Sequence, residues 1–451
     1  MAGKGVPVGL ITLGCAKNTV DSEYMLAELE SAGFTPIEDL SQARAIVVNT
    51  CAFIEPAKEE SIETILEAAR FKTRGSCRVL VVVGCLASRY RAKLESELPE
   101  VDVFLGLGEE QRGLGVALAA RLGLAPPGER GVQAPRRAAL TAAEGWAYLK
   151  ISEGCDNHCS YCAIPLIRGN LQSRPEAEIV AEARYLESLG VKELNLIAQD
   201  VAAYGADRGG DRGLVGLMEK LLKETQIPWL RLLYIHPAHL GRELLELMAA
   251  EPRILPYLDL PVQHASDRML ERMGRKVTAS QILDRIGLAR ALLKRPVLRT
   301  TVLVGFPGEG KKDFAELLRF IEEVRFDRLG GFLYSREENT PSAGMRDRVP
   351  RPEKERRLAE VLDIQRGISA ELNAARVGST MPVLIERRVE AAERPEPHLA
   401  WLGRSPAHAP EVDGSVFVAE KPGEKLAPGR MARVRITVSG DYDLYGEAET
   451  V

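Results

Sequence analysis

Trp146-Ala-Tyr-Leu-Lys-Ile-Ser152-Glu-Gly-Cys155-Asp-Asn-His-Cys159-Ser-Tyr-Cys162 reads as an apolar strand running without a break into a loop that holds three cysteines. Strand, polar loop and helix form the repeating unit of parallel sheets and barrels, whose chemistry gathers at the carboxyl ends of the strands. Downstream, the runs Lys192–Ile197, Trp229–Ile235, Pro256–Leu260, Val297–Val304 and Asp327–Tyr334 read as five more strands. Helical patterns at Glu176–Leu189, Leu240–Ala250, Ala279–Leu293 and Lys312–Val324 fall between them. Six such units over residues 141–372 predict an open, six-strand (β/α)6 relative of the eightfold barrel. The residues just past each strand are polar: the cysteine loop, Gln199-Asp200, His236-Pro237, Gln263-His264, Pro307-Gly308-Glu309 and Ser335. All are expected on one face.

Upstream, Val8–Leu13, Ala45–Val48 and Arg78–Val83 are continuous apolar, β-branched-rich runs, with helical patterns at Asp21–Ala32, Ala57–Phe71 and Ser88–Leu98. That alternation predicts a doubly wound parallel-sheet α/β domain over residues 1–125. Each strand ends at a cysteine: Leu13-Gly14-Cys15, Asn49-Thr50-Cys51 and Val83-Gly84-Cys85. In a parallel sheet all carboxyl ends share one edge, so three thiols distant in sequence converge. Cys77 precedes a strand and reads as an ordinary small residue. A Pro- and Gly-rich stretch without periodicity makes residues 126–140 a linker. Residues 373–451 carry short β-rich runs, Pro382–Val389, Ser415–Val418 and Arg430–Val438, and read as a small antiparallel barrel of the OB-like kind.

Three closely spaced thiolates hold three irons of a 4Fe–4S cluster and leave the fourth iron open. The alternative, structural zinc, takes four ligands in paired short spacings. His158 is the available fourth donor, but it lies between two of the cysteines with little room to fold back. Two three-thiol sets, each with an iron unfilled, disfavour a non-catalytic iron–sulfur carrier, which is kept as an alternative. The chain has 451 residues and a net charge of −4, with no overall electrostatic footprint for nucleic acid. Its longest apolar run, about Val79–Ala87, falls short of the ~20 residues that span a bilayer, and Met1–Pro7 carries no long apolar region of a secretory signal. Seven cysteines, an odd number, argue for a reducing cytoplasm rather than a disulfide framework. No membrane association is expected.

The order of three-thiol parallel domain, CxxxCxxC barrel and terminal β-barrel resembles the radical S-adenosylmethionine (SAM) methylthiotransferases over essentially the whole chain. The resemblance implies that Cys15, Cys51 and Cys85 bind an auxiliary 4Fe–4S cluster. Cys155, Cys159 and Cys162 would bind the SAM cluster, and residues 373–451 would form a TRAM domain. Leu13-Gly-Cys-Ala-Lys-Asn-Thr-Val-Asp-Ser-Glu23, Asn49-Thr-Cys-Ala-Phe-Ile54, Ser152-Glu-Gly-Cys-Asp156 and Leu196-Ile-Ala-Gln-Asp200 look like the branch that modifies an aspartate of ribosomal protein uS12. So does Gly403-Arg-Ser-Pro-Ala-His-Ala-Pro-Glu-Val-Asp-Gly414, which departs from the branch pattern at His408, where an aspartate is common, and leaves the substrate contact there open. The rival branch modifies a tRNA adenosine. From Asn373 to Val451 there are 10 basic and 12 acidic residues, a net charge of −2, which suits a basic ribosomal-protein loop better than RNA phosphates. Arg387-Arg388 and Arg433 with Arg435 are the candidate basic face that would reverse that reading.

In this family one electron cleaves SAM to a 5′-deoxyadenosyl radical, which takes hydrogen from the aspartate β-carbon, and a methylated sulfur on the auxiliary cluster is delivered to the substrate radical. The resemblance therefore implies two 4Fe–4S clusters, SAM, an electron donor such as flavodoxin or ferredoxin, and no direct tRNA substrate. Tyr161 resembles the aromatic that flanks the adenine, with a packing role as the alternative. Leu303-Val-Gly305-Phe-Pro-Gly-Glu309 resembles the glycine motif near the adenine, with a plain loop and a helix-start Glu309 as the alternative. Gln199 and Asp200 are candidates for SAM's polar groups or for orienting substrate, against the alternative of a solvated turn.

Overall fold

The structure, a computed structural model, describes residues 5–125, 137–138, 140–209, 212–346, 348–420 and 425–449. Most of the expected linker, residues 126–136 and 139, lies outside the described residues. The chain falls into two compact units. One comprises Met1–Leu140, Glu153–Gln172 and Ser335–Ala343; the other comprises Thr141–Ser152, Ser173–Tyr334 and Gly344–Val451.

In the first unit, β1 (Val6–Thr12), β2 (Phe34–Pro36), β3 (Ala45–Thr50), β4 (Val79–Gly84) and β5 (Val103–Leu105) form a wholly parallel sheet in the order β2-β1-β3-β4-β5. β3 and β4 are buried along their whole length because helices cover both faces. Alternate residues point to opposite sides. Val47 and Val81 meet Met25 and Leu29 of α1 (Ala16–Ser31) and Leu114 and Leu118 of α4 (Glu110–Arg121). Ile46, Val48, Leu80 and Val82 meet Ile65 of α2 (Glu55–Ala69) and Leu86 and Leu94 of α3 (Cys85–Glu97). The strand order reverses between β1 and β3, the switch point where such sheets open a crevice at their carboxyl ends. α1 and α3 begin earlier than the sequence patterns indicate, at Ala16 and Cys85, so Cys15 is an N-cap and Cys85 opens a helix.

The cysteine loop belongs to this unit. Its short helix α5 (Ile164–Arg168) places Ile167, with the preceding Ala163, in the same apolar cluster as Ile65 and Leu86. Ser335–Ala343 joins it: the buried Glu337 carboxylate pairs with Lys58 at 3.1 Å and Arg89 at 2.8 Å, and the Ser342 amide donates to the Ser160 carbonyl at 2.9 Å.

Among the described residues, the second unit holds six parallel strands in chain order. β6 (Trp146–Lys150), β7 (Glu193–Ile197) and β8 (Trp229–Leu232) form one triplet, and β9 (Tyr257–Asp259), β10 (Val297–Val304) and β11 (Arg328–Leu333) the other. A bridge from Leu230 to Ile254 joins the two triplets. The helices between them bury one stripe each; Lys311–Val324 buries Phe314, Leu317, Phe320, Ile321 and Val324 at helical spacing. After the long helix Arg351–Ala374, β12 (Thr380–Arg388), β13 (Trp401–Arg404), β14 (Val416–Ala419), β15 (Met431–Ser439) and β16 (Leu444–Ala448) close a barrel in the order β12-β13-β14-β16-β15. Its pairs are antiparallel except β14 with β16, which is parallel. Val383, Ile385, Trp401, Val416, Val418, Val434 and Ile436 fill its core. No helix among the described residues is long and apolar enough to cross a membrane.

Candidate cluster-binding sites

Parallel register sets the first cysteine triad. Thr12 stands opposite Asn49 and Thr50 opposite Gly84, so β1, β3 and β4 end level and deliver Cys15, Cys51 and Cys85 to one edge. A polar network fixes these ends. Asn18 Nδ2 donates to the carbonyls of Leu13 (2.7 Å) and Thr50 (3.0 Å), and Asn49 Nδ2 donates to the Asn18 carbonyl (2.9 Å). Ser61 Oγ accepts from the Cys51 amide (3.1 Å) and donates to the Cys51 carbonyl (2.9 Å). Gly14 is required by geometry. Its φ is +98°, and a Cβ there would lie 3.1 Å from Cys51 Sγ.

Cys15 is exposed, Cys51 and Cys85 are buried, and all three are free thiols. Burial pushes the Cys51 thiol up and the Cys85 thiol up to about 12, and the neighbouring thiols oppose one another's ionisation in the same direction. Three thiols gathered at one sheet edge suit a site where iron displaces the protons. Among the described residues, no three His, Cys, Asp or Glu groups converge on a single metal-ion position. A cubane takes one thiolate at each of three separate irons, so donors spread around a pocket fit it.

The second triad lies on the loop after β6. The Cys155 amide donates to the Gly169 carbonyl (3.1 Å) and the Leu171 amide to Asp156 Oδ1 (2.9 Å), closing the loop on α5. Gly154, at φ +69°, has no room for a side chain, since a Cβ would lie 2.0 Å from the Asn170 carbonyl oxygen. His158 sits at φ +50°, a left-handed conformation that turns the chain between Cys155 and Cys159. Asn157 Nδ2 donates to Cys155 Sγ (3.4 Å) and the Ile164 amide to Cys162 Sγ (3.5 Å), donors of the kind that stabilise cluster-bound sulfur. Tyr161 is half-buried on this loop.

One side chain connects the triads. Arg168, at the end of α5, is buried, and its Nη2 reaches Asn18 Oδ1 (2.7 Å), Asp21 Oδ2 (3.3 Å) and Cys85 Sγ (3.5 Å), while Nη1 reaches Glu153 Oε1 (2.6 Å). Arg168, Asn18, Asp21 and Ser61 are site residues that the sequence reading did not single out. An arginine closing a five-residue helix reads as solvated until the fold buries it.

The other candidates lie at the carboxyl ends of the barrel strands in the second unit. Asp200, buried past β7, accepts the His236 amide on Oδ1 (3.2 Å) and sits 2.6 Å from His239 Nδ1 through Oδ2. Gln199 precedes it and is half-buried. Gly305 follows β10 at φ +76°. Glu309 is buried; its Oε2 accepts the amides of Gly305 (2.6 Å) and Phe306 (3.2 Å), and its Oε1 accepts from Arg357 Nη1 (2.7 Å). Both oxygens are thus occupied by protein donors, and Glu309 acts as the clamp of the Gly305 turn. Tyr234 (φ +65°) and Gln263 (φ +70°), just past β8 and β9, also hold left-handed backbones, as strained residues at functional edges do.

The Gly403–Gly414 stretch does not face substrate at His408. His408 is fully buried, with Nε2 3.1 Å from Arg328 Nη2. Around it, Arg404 pairs with Glu193 (2.7 Å) and Glu386 (2.5 Å), Arg231 Nη1 donates to the Pro406 carbonyl (2.8 Å), and Tyr257 donates to Asp413 (2.6 Å). Glu193, Tyr257 and Arg328 open β7, β9 and β11. The stretch therefore seats the terminal barrel on the amino ends of the strands, opposite the face that carries Asp200 and Gly305.

Comparison with known proteins agrees with this layout. Residues 7–106 match the uncharacterized protein family UPF0004, 149–321 the radical SAM superfamily and 377–448 the TRAM domain. A ribosomal protein uS12 methylthiotransferase RimO from Desulforudis audaxviator is 45% identical over 97% of this chain and 96% of its own length. One of the same name from Syntrophotalea carbinolica is 45% identical over 98% and 96%. Among solved structures, the radical SAM methyltransferase TsrM from Kitasatospora setae, with cobalamin and a [4Fe-4S] cluster bound, aligns with a TM-score of 0.55 at 16% identity, covering 83% of this chain and 79% of that one, a likeness of fold. With relatives this similar over nearly its whole length, the chain belongs to the uS12 methylthiotransferase family of radical SAM enzymes.

Proposed function

We propose that the chain adds a methylthio group to the β-carbon of an aspartate in ribosomal protein uS12. The observation that carries this reading is that the two cysteine triads, each able to leave one iron open, lie in one compact unit and are joined by the buried Arg168. Cys15, Cys51 and Cys85 hold one 4Fe–4S cluster and Cys155, Cys159 and Cys162 the other. When bound, the clusters and SAM supply the one-electron cleavage and sulfur-transfer chemistry, and the protein's part is to place them and exclude water. The cysteine ligands come from level strand ends and a closed loop, so their spacing is set before anything binds. Glu309 clamps the Gly305 turn, Asp200 fixes the His236–His239 loop, and with Gly305, Tyr161 and Gln199 they make up the set assigned to SAM. Alanine substitution at each, with SAM affinity measured, tests that assignment; unchanged binding removes the residue from it. The working domains are 1–125, 141–372 and 373–451, and the setting is the cytoplasm, with a flavodoxin or ferredoxin as electron donor.

Charge on the terminal barrel supports a protein substrate over tRNA. Arg404 is buried in ion pairs, Arg387 pairs with Glu393 (3.1 Å), Arg433 with Glu449 (3.9 Å), and Arg435 stands opposite Glu447. Three of the four arginines of the candidate basic face thus stand beside carboxylates, and Arg388 lies over the Trp401 ring, which reduces the charge left to neutralise phosphates. Mass spectrometry of uS12 from cells with and without the gene tests the proposal. A methylthio group on one aspartate, absent from the deletion strain, supports it. Identical uS12 in both strains, with methylthioadenosine lost from digested tRNA, would establish the tRNA reading instead.

A further inference from the structure

We propose that Arg168 is a positioning residue that joins the two triads and raises the reduction potential of the cluster held by Cys15, Cys51 and Cys85, a role that rests on the two-cluster reading above. Arg168 lies six residues after Cys162, on the helix whose Ala163 and Ile167 side is buried in the core beneath Cys85. Its side chain is 2% exposed and is held at four points by residues from both cysteine segments: Asn18, Asp21 and Cys85 from one, Glu153 from the other. Nη1 reaches Glu153 while Nη2 reaches Asn18, Asp21 and Cys85, so the two terminal nitrogens of the planar guanidinium serve the two segments at once, a span that the single ammonium of a lysine lacks.

The direction of the effect follows from charge. Reduction adds an electron to the cluster, and a cation donating a hydrogen bond to a ligand sulfur stabilises the more negative state. The Asp21 carboxylate, on the same Nη2 as Cys85, pulls the other way by offsetting part of that positive charge. An arginine serving packing alone would have no reason to point at a ligand sulfur, nor to draw on both cysteine segments for its anchors. The sequential nearness of Cys162 and Arg168 also means that a shift of the loop that binds one cluster moves the charge beside the other.

The test uses the full-length chain with Cys155, Cys159 and Cys162 replaced by alanine, reconstituted with iron and sulfide, so that the remaining cluster is titrated alone by EPR. Loading of roughly four irons per chain shows that the first triad binds a cluster; a chain that takes up no iron overturns the two-cluster reading, and this proposal with it. In that background Arg168→Met is expected to move the midpoint potential to more negative values, Arg168→Lys to move it less, and Asp21→Asn to move it to more positive values. Asp21→Asn keeps the proposal testable if Arg168→Met fails to fold. Variants that load iron like the parent and titrate at the parent potential overturn the role of Arg168 while leaving the cluster assignment intact.

Discussion

Replacing Gly14 by alanine places one methyl group in the turn that carries Cys15, and its consequences can be worked from the structure. The backbone there has φ +98°, which a residue with a Cβ adopts at a cost of roughly 1–3 kcal/mol. The new Cβ would lie 2.9 Å from Cys51 Cβ, 3.1 Å from Cys51 Sγ and 3.2 Å from Asn18 Nδ2. Ordinary carbon contacts are ~3.5–4.0 Å. Neither neighbour yields easily: Cys51 is held at both its amide and its carbonyl by Ser61, and Asn18 spans Leu13 and Thr50. Overpacking of this kind costs roughly 1–3 kcal/mol more, for a total of about 2–6 kcal/mol. That is within the ~5–15 kcal/mol of a typical fold, so the chain survives while the site is displaced. The assay is iron and acid-labile sulfide per chain after reconstitution. Gly14→Ala is expected to fall from roughly eight irons to roughly four, losing the cluster at Cys15, Cys51 and Cys85. Gly33→Ala is the control: φ is +90° with nothing within 4 Å of the new Cβ, so it carries the same backbone strain away from the site. If Gly14→Ala loads as much iron as Gly33→Ala, the account of the triad is refuted.

Arg404→Ala leaves the carboxylates of Glu193 and Glu386 short of a buried partner, and is expected to cost about 3–5 kcal/mol in denaturant unfolding with cluster loading unchanged; an unmoved midpoint would contradict the seating role of residues 403–414. Cys77 lies before β4 with its thiol on the Val79 carbonyl (3.4 Å), away from the carboxyl edge, so Cys77→Ala should lose about 1 kcal/mol and no iron, whereas Cys85→Ala should lose the auxiliary cluster. His264 is fully buried, accepts the amides of Ala265 and Ser266 on Nδ1, and burial lowers its pKa from 6.5 to about 3. Because the unfolded chain then binds the extra proton, its contribution is complete above pH 6.5 and is lost as pH falls from there toward 3, at up to about 1.4 kcal/mol per unit. Burial lowers His236 and His408 as well, so melting followed between pH 7 and 5 should show a summed slope that is shallower in His264→Asn; an identical slope in the variant would exclude a contribution from His264.

The parallel sheets were legible because strands covered on both faces are continuous apolar runs, such as Ala45–Thr50 and Val79–Gly84. Phe34–Pro36 and Val103–Leu105 were not, since three residues on the flanks of a sheet carry too little pattern to register. Trp401–Arg404 and Leu444–Ala448 were hidden by interior glycines: Gly403 and Gly446 sit where a Cβ would meet a neighbouring backbone oxygen at 2.3 Å and 2.5 Å. The cysteines could be read from their position at strand ends, which topology alone converts into proximity. Arg168 and Asp21 could not, because their meaning comes from tertiary burial of charged groups that read as solvated. The sequence leaves substrate contact at His408 open because a branch motif does not say where its side chains point; the fold buries His408 against Arg328, and Arg404 of the same stretch pairs with Glu193 and Glu386.

The proposed reaction needs both triads acting on uS12. The direct measurement is tandem mass spectrometry of uS12 after incubation with the reconstituted full-length protein, SAM and a chemical reductant, alongside Cys85→Ala and Cys159→Ala. The unsubstituted protein is expected to place a methylthio group on the β-carbon of one aspartate. Cys85→Ala is expected to cleave SAM without methylthiolation, and Cys159→Ala to do neither. Unmodified uS12 from protein that holds both clusters and cleaves SAM would contradict the proposed reaction.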